Sequence, residues 1–215
     1  MWRAYFQARP EAEDRISCGV GISARQFEQI QARMSGKSRA QATIGEAAPH
    51  KTILGVDPSL RGTGYGVIRL SENEPKALAQ GTIKCPARMA RSRCLLEITE
   101  KLRKVIQKHQ PTACAIEGLF YAQNVKTALT MGEARGAALA VLAEAGLEIV
   151  EIAPRKVKQA IVGYGNAQKL AVAKMVQRML ALEELPAPDA ADALALALTW
   201  AHLHKRFAIE PVQKI

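Results

Sequence analysis

Two short apolar runs in this 215-residue chain end on a carboxylate, Ile53–Val56 on Asp57 and Ala113–Ile116 on Glu117. Runs of this length and composition read as buried strands, and an acid at the end of a buried strand needs a partner to offset its desolvation. Locally, Asp57-Pro58 reads equally well as a turn opener. A Gly-rich turn is expected to follow (Gly62, Gly64, Gly66), and Tyr65 to Leu70 reads as a second strand. Ser71 to Pro75 reads as another turn and Ala77 to Lys84 as a third strand, so the region is expected to form an antiparallel meander.

A helix is expected over Arg91 to His109, with Leu95, Leu96, Ile98, Leu102, Val105 and Ile106 on its apolar face. A strand, a helix and the Ala113 strand in succession imply a parallel crossover. Further helices are expected at Asn124–Ala145, from Ala153, at Gln168–Leu182 and from Asp189 to about His204, with a strand at Glu148–Ile152. The small residues Ala128, Gly132, Gly136 and their neighbours Arg135 and Leu139 would admit close approach by another helix or a second copy, or packing on the chain's own sheet, and both can hold. The pattern is that of a mixed α/β domain.

Residues 1–51 have a different texture and are expected to be a weakly ordered extension, with a short helix at Ile22–Met34 and Met34 as a candidate internal start. Residues 52–205 carry the domain, and 206–215 read as a loose tail. The net charge is +10, with 23 basic against 15 acidic residues in 51–215, which points toward a polyanionic partner. Cys18, Cys85, Cys94 and Cys114 show no paired spacing and read as free thiols of a reducing compartment. No run is long enough to span a bilayer and no leader pattern opens the chain, so a cytoplasmic location with no membrane contact is expected.

The last helix opens Pro188-Asp-Ala-Ala-Asp-Ala, placing Asp189 and Asp192 on one face near its positive end. Capping and the helix dipole alone would account for both acids. Taken with Asp57 and Glu117, they make four carboxylates that would repel one another unless cations neutralise them. Oxygen-only ligands favour Mg²⁺ or Mn²⁺, and such a site in a basic domain suits two-metal phosphodiester hydrolysis.

Six further motifs accompany Ile-Leu-Gly-Val-Asp57-Pro: Thr-Gly-Tyr-Gly-Val67, Ala-Ile-Glu117-Gly-Leu-Phe120, Arg135-Gly, Val157-Lys-Gln159, Val162-Gly-Tyr-Gly and Asp189-Ala-Ala-Asp192-Ala-Leu. Together, over about residues 52–204, the chain resembles the bacterial Holliday-junction resolvases of the RuvC family. The resemblance implies an RNase H-like fold, a mixed five-stranded sheet flanked by helices on both faces. It implies a homodimer that nicks four-way DNA junctions in symmetric pairs, working with the RuvA–RuvB branch-migration complex.

It assigns Asp57, Glu117, Asp189 and Asp192 as catalytic acids holding two Mg²⁺ per subunit, with Mn²⁺ able to substitute. It assigns Phe120 as a base-wedging aromatic and Lys158 and Lys169 as contacts near the scissile phosphate. Arg61, in the turn after Asp57, is a further candidate for the DNA backbone. The chain departs from the pattern at Pro-Ser-Leu-Arg61, where Pro-Gly-Ser-Arg is frequent, and at Gln123, where Lys is common.

Two other classes compete. An actin-like sugar kinase or ATPase also uses an acid and a Gly-rich hairpin, but needs a second such domain. A non-catalytic junction-binding protein would be expected to lack one of the acids.

Overall fold

Alternation along the strands decides this architecture, because neighbouring residues of β1 (Thr52–Asp57) belong to two different cores. The structure is a computed structural model and describes residues 51–71, 74–118 and 124–204. Strands β2 (Gly62–Arg69) and β3 (Lys76–Lys84) complete the antiparallel meander. Helix α1 (Arg91–His109) leads to β4 (Ala113–Glu117), and helix α2 (Val125–Glu144) to β5 (Glu148–Ile152). Helices α3 (Pro154–Val162), α4 (Lys169–Met179) and α5 (Pro188–Leu203) follow.

The five strands lie in the order β3-β2-β1-β4-β5, with β1, β4 and β5 parallel. Ile53, Ile68, Ala113 and Ala115 pack against α3, α4 and α5 on one face. Leu54, Val56, Val67, Cys114 and Ile116 pack against α1 and α2 on the other. A five-stranded mixed sheet covered on both faces is what was expected.

The meander differs in one respect. Gly62 and Gly64, read from sequence as turn residues, are residues of β2. Glycine is a poor strand former, and its presence inside a strand marks close approach by another backbone. Here that backbone is α5. A Cβ on Gly55 would overlap the Ala193 carbonyl oxygen, and one on Gly64 would overlap the carbonyl oxygen of Asp189. With Ala190, Ala191 and Ala193 buried beneath it, α5 lies directly on the strands.

Helix α1 buries Cys94, Ile98, Leu102 and Ile106, a four-residue repeat that forms one stripe, whereas Leu96 is exposed. The expected apolar face was therefore too wide, and it omitted Cys94. Asn124 caps α2 by accepting the Lys126 N–H at 2.8 Å. Helix α4 ends at Met179, three residues short of the expectation, because the chain turns through Ala181 at φ 47°. Cys85, Cys94 and Cys114 are buried free thiols, and burial with the neighbouring Cys94 pushes the Cys85 thiol up to about 11. No helix among the described residues is long and apolar enough to cross a membrane. The expected Ile22–Met34 helix, the C-terminal tail and Phe120 lie outside the described residues.

Candidate active site

Because side chains alternate, Asp57 projects to the same face of the sheet as Ile53 and Gly55, and Glu117 to the same face as Ala113 and Ala115. The parallel register pairs Gly55 with Ala115 and Val56 with Ile116, so the two acids come side by side at the next step. That face is the one α5 covers, and α5 brings Asp189 and Asp192 on its first turns. No side chain caps this helix, so both acids sit in the positive field of its N-terminus.

The electrostatics follow from this crowding. Burial raises the Asp57 carboxyl from 3.8 to about 8, and the charge of Glu117, a hydrogen bond with it, and the charge of Asp192 push the same way. Lys169, at the start of α4, opposes them, its ammonium donating to Asp192 Oδ2 at 2.8 Å. That hydrogen bond raises the Lys169 pKa, as do the charges of Asp192, Asp57 and Glu117, against partial desolvation. Asp57, Glu117 and Asp192 thus form one interacting group. Asp189 stands to one side, where a Cβ on Gly62 would lie 3.0 Å from its Oδ2.

Among the described residues no His, Cys, Asp or Glu side chains are already drawn together as a closed metal-ligand cluster. Even so, the donor set suits a hard divalent cation. All the converging groups are carboxylates, one is driven toward its protonated form by the others, and a lysine ammonium supplies positive charge at Asp192.

The remaining expected residues are placed as follows. Lys158 is half-buried on α3 and forms no ion pair among the described residues. Arg61 is exposed, yet its Nη1 donates to the carbonyls of Pro86 at 2.7 Å and Met89 at 3.0 Å and contacts Cys94 Sγ. It braces the segment between β3 and α1. Arg135, read with its small neighbours as facing either a partner helix or the chain's own sheet, is buried and turned toward β4 and β5. A charged residue amid alanines and glycines was the available signal.

Residues 53–200 match the family model described as Crossover junction endodeoxyribonuclease RuvC. The chain belongs to the RuvC family. A RuvC from Heliobacterium modesticaldum is 48% identical over 151 residues, covering 70% of this chain and 93% of that protein. One from Syntrophomonas wolfei is 44% identical over 153 residues, covering 71% and 88%. The structure of T. thermophilus RuvC in complex with Holliday junction substrate superposes with a TM-score of 0.68 at 33% identity, covering 73% of this chain and 96% of that one. The yeast mitochondrial Holliday junction resolvase Ydc2 shares the fold, with a TM-score of 0.54 at 13% identity over 84% of this chain and 93% of that one. The RuvC chain described here is accordingly an endodeoxyribonuclease of RNase H-like fold.

Proposed function

We propose that this chain resolves four-way DNA junctions by paired symmetric nicks, through metal-assisted hydrolysis at Asp57, Glu117, Asp189 and Asp192. One observation carries the reading: Asp57 is buried beside Glu117 and Asp192, and burial first, then the charge and hydrogen bond of Glu117 and the charge of Asp192, raise its carboxyl to about 8. Strand-end acids with a purely structural role would have no reason to be gathered at such cost. The substrate class is supported by the RuvC relatives and by the T. thermophilus complex with Holliday junction.

Bound at these acids, two Mg²⁺ ions per subunit, or Mn²⁺ in their place, would activate an attacking water and neutralise the leaving 3′ oxygen. The chain's own residues set the geometry. β1 and β4 hold Asp57 and Glu117 rigidly side by side, and α5 carries Asp189 and Asp192 against them. Lys169, paired with Asp192 here, would meet the scissile phosphate, and Lys158 of α3 would supply charge along the strand. Hydrolysis leaves a 5′-phosphate and a 3′-hydroxyl. Phe120 would wedge into bases near the crossover, and Arg61, besides its bracing role, would face the backbone.

Paired nicks need two sites, and α2 offers a surface for a second copy. Val125 (76% exposed) and Leu129 (62% exposed) continue into Gly132 and Gly136, whose Cα positions open on free space. An apolar stripe with small residues suits helix-to-helix contact between protomers. Residues 52–205 form the nuclease domain in this reading, which acts in the cytoplasm alongside RuvA–RuvB.

The test uses a synthetic four-way junction, a Y-fork and plain duplex, with and without Mg²⁺. Symmetric nicks in the junction alone, abolished by chelator and by Asp57→Asn while junction binding persists, support the proposal. Equal cutting of all three substrates, or cleavage by Asp57→Asn with ordinary metal dependence, sinks it.

A further inference from the structure

Arg135 is the only charged residue buried among the described residues, with 9% of its surface exposed. A guanidinium removed from water is tolerated only where its donors are met. Nη1 donates to the main-chain carbonyl of Glu117, and Nη2 pairs with Glu151 Oε2 at 2.9 Å. Glu151 lies on β5 opposite Ile116, so the clamp reaches the end of β4 from the α1–α2 side. The carboxylate of Glu117 projects to the other side, toward Asp57.

This placement matters because β4 is at its last residue there. The ladder between β1 and β4 stops at Val56 and Ile116, one residue short of Glu117. Beyond it, Gly118 N–H donates to the Ile152 carbonyl at 2.9 Å. The Glu117 peptide is thus held by β5 and by Arg135. Fixing its carbonyl fixes the plane from which the Cα–Cβ bond departs, and so the direction of the carboxylate. Gly118 preserves the arrangement, since a Cβ there would stand 3.2 Å from Glu151 Oε1 and 3.3 Å from its Cγ.

We infer that Arg135 is a positioning residue, aiming the Glu117 carboxylate at the metal site through the main chain, with Glu151 as its counter-charge. The inference rests on Glu117 being a metal-binding acid. Lysine cannot replace the fork, because one ammonium cannot span two acceptors in fixed planar geometry.

The experiment compares Arg135→Lys, Glu151→Gln and Gly118→Ala with the parent protein, and uses Glu117→Gln as the check on the acid itself. Mn²⁺ and Mg²⁺ affinities are measured by calorimetry without DNA, junction affinity in chelator, and cleavage rate across a Mg²⁺ series. Arg135→Lys is expected to weaken metal binding and raise the half-saturating Mg²⁺ about tenfold, with the rate largely recovered at excess metal and junction affinity unchanged. Glu151→Gln and Gly118→Ala should move the same readouts in the same direction by less. Glu151 is 57% exposed, so those two carry the test should Arg135→Lys not fold. Lowered melting temperature with unaltered metal affinity in all folded variants would overturn the inference and leave the acid reading standing. Parental metal affinity in Glu117→Gln would overturn both.

Discussion

Asp57→Asn separates the cost of crowding carboxylates from the catalytic use proposed for them. The folded state raises this carboxyl from 3.8 to about 8, chiefly through burial and secondarily through Glu117 and Asp192. A raised acid binds its proton more tightly in the folded than in the unfolded chain. Its contribution to stability is therefore complete below the unfolded value and is lost as pH rises toward 8. From about pH 5 to pH 8 that loss is at most on the order of 4 kcal/mol, at roughly 1.4 kcal/mol per pH unit.

The site is not wholly dry, and water screening reduces the figure, so about 2–3 kcal/mol is expected. Asparagine has the same shape and no proton to lose. Without metal at about pH 9, Asp57→Asn should be the more stable protein, melting roughly 4–12 °C higher for a domain of this size. By pH 5 the gap should have narrowed, and it should close below about pH 4, the carboxyl's unfolded value. Excess Mg²⁺ at high pH should narrow the gap by stabilising the parent protein preferentially. Melting curves by circular dichroism over a pH series, in chelator and in Mg²⁺, give the result. A variant equally stable or less stable at high pH, or a gap that does not close on acidification, would refute the picture of a frustrated acid pair.

Gly55→Ala, whose Cβ would overlap Ala193, should cost roughly 3 kcal/mol or more, read as a fall in the urea midpoint. Gly136→Ala meets nothing within 4 Å, so it should gain up to about 1 kcal/mol of helix stability. If α2 is the contact between protomers, the same change weakens self-association in sedimentation; an unaltered dimer would remove α2 from that role. Lys169→Gln should reduce the slope of log affinity against log salt for junction DNA by about one, measured by fluorescence anisotropy in chelator.

The strand-end acids were legible because two periods, the two-residue strand repeat and the three-residue Asp189–Asp192 spacing, each select one face. Helix α1 was legible in its limits, yet its Cys94 stripe was hidden by the many apolar residues around it. The glycines were the least legible. Gly62 and Gly64 satisfy every local criterion for a turn, and only the tertiary approach of α5 makes them strand residues. Arg135 was half legible: the alanines and glycines around it suit either an outward contact face or packing on the sheet, and its carbonyl and carboxylate partners on β4 and β5 decide for the second. Glu151, an acid inside the apolar run Glu148–Ile152, was the visible hint of that pairing.

The backbone-to-backbone seating of α5 on β1 and β2 bears on how substrates are told apart. Where Gly55 and Gly64 meet the α5 main chain there is no side chain to compress, which resists a swing of Asp189 and Asp192 away from the strands. Discrimination then falls on the DNA. Bending a stiff duplex through tens of degrees costs several kcal/mol, on the order of 1–6 by elastic estimates, while a branched crossover is already open at its centre. Under the function proposed above, a stiff site would favour whichever nucleic acid yields most readily to its shape, so the pliability of the substrate would do the work that a moving lid does in other enzymes.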